Sequence, residues 1–215
     1  MTGTTPAVPS RSDATRNRRL LLDVAAKAFA ERGVDVSIGE IAQRAGLGKG
    51  TVFRHFSSKE ELVAAIMLRM FDELVDAGTA LLTAEDPGLA LREFMTAGVE
   101  IYVRDQAFSE VIGRSSVQHP QVRDAIDRLC DTAEALTARA RQEGIVRPDV
   151  TGTDVVLLLG GIRRTAAPLL IVEPQAWRRY LDLTLDGITT HPGRSLPHPP
   201  PRHLPLTTPA PDHGC

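Results

Sequence analysis

The sequence predicts an all-α protein in which an N-terminal head of three helices sits on a larger C-terminal helical bundle, with about nine helices in all. Apolar residues recur at spacings of three and four through most of the 215 residues, as they do on one face of an α-helix. Residues that cap or break helices separate these stretches, among them Gly33, Gly46, Pro87 and Gly144. A chain of this length can bury a substantial core.

Composition sets the outer limits of the folded part. Residues 1–15 are rich in Thr, Ser and Pro without periodicity, and residues 191–215 hold eight of the fifteen prolines, so both segments are expected to be disordered. Between them we predict a head over residues 16–61 and a bundle over residues 62–190. The four histidines of the C-terminal tail share no ligand spacing, so a solvated tail is expected in preference to a metal site.

The first head helix is predicted over residues 15–32. Leu21, Ala25 and Phe29 recur at every fourth position on one face, which is expected to pack inside the head. Gly33 follows as the residue that ends the helix.

The next stretch, residues 37–62 (SIGEIAQRAGLGKGTVFRHFSSKEEL), predicts two short helices joined by a tight turn and then the start of a third. Ser37 and Glu40 have the spacing of a capping box, which opens the first of these helices. Gly46 breaks it, because glycine adopts a positive φ without a Cβ clash and lets the second helix leave at a steep angle. This is the pattern of a helix-turn-helix.

The exposed face of the second short helix, about residues 48–55, carries no acidic side chain. Its cations, hydroxyls and bare glycine backbone can all approach anionic oxygens, and a helix of this width fits the major groove of B-DNA. We therefore expect double-stranded DNA as the partner. The predicted DNA-binding residues are Ser37, Lys49, Gly50, Thr51, Phe53, Arg54, His55 and Lys59.

The distribution of charge agrees with this prediction. Residues 1–60 hold 10 basic against 6 acidic residues, whereas the remaining 155 residues hold 15 against 21. A basic head on an acidic body is typical of a protein whose head alone touches DNA. The alternative is a solvated basic helix that only packs on a bundle.

The segment AGLGKGTVFRHFSSKEEL resembles the recognition-helix signature of the TetR family of bacterial transcriptional regulators, and the likeness extends back through LLDVAAKAFAERGVDVSIGEIAQRAG. It covers about the first third of the chain and is far more specific than a generic helix-turn-helix. Phe53 departs from the family pattern, which usually has tyrosine there, so a phenolic hydroxyl that could bind phosphate is absent. The resemblance implies a homodimer formed through the last two helices and an effector pocket in the bundle.

Four arginines lie near the N-terminus: Arg11, Arg16, Arg18 and Arg19. They could form an arm that reaches the minor groove or the DNA backbone beside the main contact. A solvated tail that only keeps the protein soluble explains them equally well.

Caps, prolines and glycines also bound the helices of the bundle. Ser57 and Ser58 offer caps, with Glu60 and Glu61 three residues on, for a long helix to about residue 82 that ties the head to the body as a lever. Further helices are predicted at residues 87–105, 107–114, 119–143, 149–170 and 174–189, the fourth of them ending or kinking before Pro168.

The last two helices are apolar over more than one face, which needs more cover than one neighbour gives. A self-complementary dimer interface would supply this cover, with Gly160 and Gly161 permitting close helix approach, and an ordinary monomeric core is the alternative. Two heads about 34 Å apart would read successive major-groove faces of a palindromic operator. The predicted interface residues are Leu158, Gly161, Ile162, Trp177, Tyr180, Leu181, Thr184, Leu185 and Ile188.

An effector pocket, implied by the resemblance, is expected among the helices of residues 62–143. Candidate lining residues are Met67, Met70, Phe71, Phe94, Met95, Tyr102 and Phe108, although methionine and aromatic residues at helical spacing are more often core. The effector would be a small apolar or amphipathic molecule that shifts the lever helix and releases a repressor from its operator.

Other classes of protein have less support. Residues 1–19 lack the apolar segment of an export signal, and the most apolar region, residues 155–172, contains Arg163, Arg164 and Pro168, so a cytoplasmic protein is expected. Two cysteines support neither a metal site nor a disulfide framework, and no cofactor is expected. No nucleophile elbow, phosphate loop or paired acid set indicates an enzyme. A ligand-independent DNA-binding or architectural protein is the nearest alternative, and activation in place of repression stays open.

Overall fold

The computed structural model describes residues 11–104 and 119–189. Within these residues the one extended pairing is an isolated bridge between Val146 and Thr189, so the predicted all-α class is confirmed. The described helices are α1 Arg11–Arg32, α2 Ile38–Arg44, α3 Lys49–His55, α4 Lys59–Leu81, α5 Pro87–Arg104, α6 Pro120–Gln142, α7 Gly152–Ala166 and α8 Trp177–Ile188, with a short 3-10 helix, Gly33–Asp35, after α1. The helix predicted at residues 107–114, with Phe108, and the tail from residue 191 lie outside the described residues.

The first helix begins earlier than the sequence predicted. Arg11–Thr15 were assigned to a disordered arm, and this boundary was wrong because α1 starts at Arg11. Asp13 stands in the first turn, where the positive end of the helix dipole favours an acid. Its carboxylate also accepts a hydrogen bond from Arg16 Nη2 at 2.6 Å. These local contacts favour a helix over residues 11–15 although the residues there show no apolar periodicity.

The last two helices are shorter than predicted. α7 begins at Gly152 because Thr151 and Asp154 form a complete capping box, with each side chain bonded to the backbone N–H of the other residue. It ends two residues before Pro168, where the sequence placed an end or a kink. α8 begins only at Trp177.

One apolar core runs from the head into the body, and α4 is the helix that both share. α1, α2 and α3 form the head, and α4 packs on α1 there. Further along, α4 packs on α5 and α6, while α7 lies against α5 and α6, and α8 covers α5 and α7. The predicted domain boundary at residues 61 and 62 falls in the first turn of α4, so the two parts are joined by a continuous helix.

The start of α7 is docked directly on the backbone of α6. A Cβ on Gly152 would lie 2.2 Å from the backbone nitrogen of Glu134, so only glycine fits between the two helices. Glu134 Oε2 also accepts a hydrogen bond from the Gly152 N–H at 2.5 Å. The position of α7 in the body is therefore fixed by its first residue.

Among the described helices, none combines the length and the apolar character that a bilayer crossing requires.

Candidate nucleic-acid interface

Two short helices and the turn between them form the exposed end of the head. α2 ends at Arg44, and the turn is closed by hydrogen bonds from Gly46 N to Gln43 O at 3.1 Å and from Leu47 N to Ala42 O at 2.9 Å. Gly46 has φ +67°, the left-handed region that the sequence predicted for this glycine. The turn thus sets α3 at an angle to α2, as a helix-turn-helix requires.

Ser37 caps α2, but the predicted capping box is only half formed. Ser37 Oγ accepts from the N–H of Glu40 at 3.2 Å. The Glu40 carboxylate instead accepts from Arg32 at 2.6 Å and from Arg44 at 3.1 Å. Arg44 also donates to Glu31 of α1 at 2.6 Å, and this bond raises the pKa of Arg44. Arg32 and Arg44 therefore link α1 to α2 through ion pairs.

One side of the short helix α3 packs in the core of the head. Val52 is fully buried, and Phe56, which ends the helix, is 1% exposed and donates its N–H to Val52 O at 2.9 Å. Ile41 of α2 is also fully buried in the head core. The other side of α3 is left to face outward.

The outward face of α3 carries cations, an aromatic ring and a bare glycine. Lys49, Gly50, Phe53 and Arg54 are exposed, whereas Thr51 is half-buried. Arg54 Nη2 donates to Thr51 Oγ1 at 3.1 Å, and Lys49 Nζ lies 5.9 Å from the centre of the Phe53 ring. These contacts hold the side chains along the helix without neutralising their charge. Phe53 is 46% exposed, which is unusual for a large apolar side chain unless another surface covers it.

Gly50 has no role in the packing of its own chain. A Cβ built at this position meets no heavy atom within 4 Å. Glycine inside a helix costs roughly 0.5 to 1 kcal/mol relative to alanine. A glycine at this exposed position is explained if another surface, such as a DNA strand, approaches the helix backbone closely.

The other predicted DNA-binding residues lie beside α3. His55 is half-buried in its last turn, with its ring centre 6.4 Å from that of Phe56. Lys59 begins α4 and is half-buried, with its Nζ 5.8 Å from the centre of the Phe29 ring. Ser37 is exposed at the start of α2. The eight predicted residues thus all belong to the helix-turn-helix or to the residue that opens α4.

The N-terminal arginines with described side chains lie on α1. Arg16 pairs with Asp13, and the Arg18 guanidinium lies over the Phe56 ring, 4.9 Å from its centre. Arg19 lines a cleft between α1 and α4. These three arginines therefore lie on a helix of the head and are exposed, and their contact with DNA stays a prediction.

The predicted dimer residues divide into two groups. Trp177, Leu181, Leu185 and Ile188 are buried in the core of their own chain, as is Ile162. A shallow groove of about 310 Å³ runs between α7 and α8, and its lining consists of Leu158, Gly161, Ile162, Thr165, Tyr180, Leu183 and Thr184. Leu183, which the sequence analysis missed, is 54% exposed there. Its exposure depends on which face of α8 the body covers, and periodicity alone does not give that.

The candidate effector residues lie in the body core. Met67, Met70, Phe94 and Met95 are buried, while Phe71 and Tyr102 are half-buried. Burial raises the pKa of the Tyr102 phenol. A cleft of about 440 Å³ opens between α1, α4 and α5, but its lining is largely charged and contains none of these six side chains: Arg19, Asp23, Ala26, Lys27, Ala30, Arg69, Glu73 and Arg104.

Comparison with known proteins agrees with this geometry. Residues 21–66 match the family model of the bacterial regulatory proteins of the tetR family, and residues 86–190 match the C-terminal domain of SbtR-like transcriptional regulators. The HTH-type transcriptional activator FasR of Mycolicibacterium smegmatis is 36% identical over 108 residues, which is 49% of this chain and 49% of FasR. The chain thus spans about half the length of this curated relative.

Solved structures extend the likeness over nearly the whole of their chains. A TetR transcriptional regulator from Streptomyces coelicolor superposes with a TM-score of 0.61 at 30% identity, covering 80% of this chain and 98% of the other. A TetR regulatory protein from Mycobacterium vanbaalenii gives 0.59 at 33% identity, covering 84% and 99%. With its helix-turn-helix head and its helical body both matched, the chain belongs to the TetR family of bacterial transcriptional regulators.

Proposed function

We propose that this protein represses transcription by binding a palindromic DNA operator as a homodimer and that a small-molecule effector releases it. The observation that carries the DNA-binding part is the outward face of α3, where Lys49 and Arg54 are exposed beside the bare backbone of Gly50 and no acid stands on the helix. A helix with such a face fits the major groove, where phosphates flank the base edges.

The groove between α7 and α8 supports the dimer. Leu183 and Gly161 are exposed there, and a Cβ on Gly161 would meet nothing within 4 Å in its own chain. An apolar groove around an unexplained helical glycine suits a second copy whose helix approaches closely. A two-fold axis between the copies would present two α3 helices to successive turns of one face of the duplex.

The effector part of the proposal depends on the body being able to open. Phe94 and Met95 are fully buried, so an apolar ligand would have to displace core side chains in order to bind among them. Such a ligand would favour a second arrangement of the body, and α4 would carry the change to the head. The half-buried Tyr102 at the end of α5 gives the region one polar group.

Selection of DNA from a random duplex library by the purified protein tests DNA recognition. We expect enrichment of inverted repeats whose half-sites are centred about 10 base pairs apart, or a multiple of that distance. Equal retention of scrambled duplex would contradict the proposal. Light scattering on the same sample gives the number of chains that bind each duplex.

The direction of regulation needs a separate test, because FasR is named an activator. A reporter under the promoter that carries the selected site should be less active when the protein is present, and a rise would indicate activation. Thermal denaturation with candidate apolar and amphipathic molecules tests the effector, since a ligand of the native state raises its melting temperature. A ligand that binds without weakening DNA binding would favour the ligand-independent alternative.

A further inference from the structure

The residue that follows the recognition helix is held by the first turn of α4. Glu61 Oε2 accepts hydrogen bonds from the backbone N–H of Ser57 at 2.6 Å and from the Ser57 hydroxyl at 2.5 Å. Ser58 is the N-cap of α4 and accepts from the N–H of Glu61 at 3.1 Å. In a capping box the carboxylate at the position of Glu61 bonds to the N-cap residue itself. Here it reaches one residue further back and so ties the first turn of α4 to the residue that follows Phe56, the C-cap of α3.

The recognition helix meets this connection through a firmly held residue. Phe56 stands between α3 and Ser57, and its ring is almost completely buried. Its N–H donates to Val52 O at 2.9 Å, and the Arg18 guanidinium covers its ring at 4.9 Å. Because Phe56 is held on both sides, we expect a displacement of Ser57 to be passed to α3.

Glu61 also interacts electrostatically with residues of two other helices. The pKa of Glu61 is lowered, first by the hydrogen bonds from Ser57 and to a smaller extent by its electrostatic interactions with Arg18 on α1 and with His119. His119 is the N-cap residue of α6, and its Nδ1 is buried without a hydrogen-bond partner among the described residues. The carboxylate therefore lies within the electrostatic reach of both α1 and the start of α6.

We propose that Glu61 is a positioning residue for DNA binding, whose carboxylate fixes the orientation of α3 relative to α4. The inference rests on the proposed function, since it names the joint through which a movement of the body would reach the recognition helix. Glu61 acts through Ser57 and not on DNA, because its acceptor oxygen is already engaged and phosphates repel a carboxylate.

The test uses the full-length protein with two probes, the duplex that the wild type selects from a random library and a scrambled duplex of equal length. Glu61→Gln keeps the shape of the side chain but replaces charge-assisted hydrogen bonds by neutral ones, which are roughly half as strong. We expect the affinity for the selected duplex to fall about tenfold. The affinity for scrambled duplex should not fall, because no phosphate contact is lost and the substitution removes a negative charge.

Two control variants separate positioning from simple stabilisation. Ser58→Ala removes the N-cap of α4, which costs about 1 kcal/mol of stability on measured caps, but it leaves the bonds between Glu61 and Ser57 in place. It should therefore bind the selected duplex within about twofold of the wild type. Ser57→Thr keeps both donors and should also bind like the wild type, whereas Ser57→Ala loses the hydroxyl and should be weakened.

Equal binding of the selected duplex by Glu61→Gln and the wild type would overturn the inference. The inference would also be overturned if Ser58→Ala lost as much affinity for the selected duplex as Glu61→Gln while the two variants had the same melting temperature. If Glu61→Gln does not fold, equal binding by Ser57→Ala and Ser57→Thr overturns the inference. A wild type that does not distinguish selected from scrambled duplex would instead overturn the proposed function, so the two failures give different results.

Discussion

Adding one methyl group at Gly161 should have opposite effects on the subunit and on the dimer. In the single chain a Cβ at this position meets nothing within 4 Å, so Gly161→Ala should stabilise α7 by about 1 kcal/mol, the difference in helix propensity. In a dimer whose seam follows the groove, a partner helix occupies that space. Overpacking costs about 1 to 3 kcal/mol at each site, and two-fold symmetry makes two such sites.

The methyl groups together should therefore weaken dimerisation by about 2 to 6 kcal/mol, which raises the dissociation constant at least about thirtyfold. Sedimentation equilibrium gives this constant, and urea denaturation at concentrations below it gives the stability of the subunit. Gly160→Ala is the matched control, because Gly160 also faces open space in α7 but does not line the groove. A more stable Gly161→Ala protein with an unchanged dissociation constant would refute this seam.

Three further predictions concern DNA, packing and pH. Lys59→Ala should weaken binding to all duplexes and reduce the slope of log affinity against log salt concentration by the contribution of about one phosphate contact. Lys49→Ala should instead change the preference among sites by about 1 to 3 kcal/mol per position in competition assays. Uniform losses for both variants would argue against base reading by Lys49. Gly152→Ala should lower the free energy of unfolding in urea by about 3 kcal/mol, because the added Cβ meets backbone 2.2 Å away, and an unchanged midpoint would contradict this packing. Because the pKa of Glu61 is lowered in the folded state, its contribution is complete above the unfolded carboxyl pKa and is lost as pH falls through the folded pKa. The stability difference between the wild type and Glu61→Gln should therefore shrink as the pH falls below the ordinary carboxyl pKa of about 4.3, and a constant difference would exclude this linkage.

The head could be predicted in detail because its signals are local. A positive φ at Gly46 and a cap at Ser37 follow from residues within a few positions, and both are present. The bond from Ser57 to Glu61 was not predicted, since the capping rule directs that carboxylate to Ser58. Which bond forms depends on the orientation of the preceding helix, α3, relative to α4. That is a tertiary property.

The body was less predictable because periodicity identifies a helix face but not what covers it. Trp177 and Leu181 share an apolar face of α8, which suited a dimer seam equally well, yet both are buried in their own chain. The need for glycine at position 152 could not be predicted, because it comes from the backbone of Glu134, eighteen positions away. The predicted effector residues were chosen by residue type and helical spacing, which do not distinguish the lining of a pocket from ordinary core.

Two exposed ion pairs join α4 to its neighbours in the head and in the body. Asp23 of α1 pairs with Arg69 of α4, and Glu73 of α4 accepts two hydrogen bonds from Arg104 of α5 at 2.9 and 2.8 Å. All four side chains are about half-exposed, so each pair contributes roughly 0 to 1 kcal/mol and is weakened by salt. These pairs therefore add little to the orientation of α4, which is held mainly by the apolar core that the head and the body share. If an effector releases the protein, as we propose, it has to repack apolar contacts of α4, and the bonds of Glu61 would pass the movement of the first turn to Ser57, two residues beyond α3.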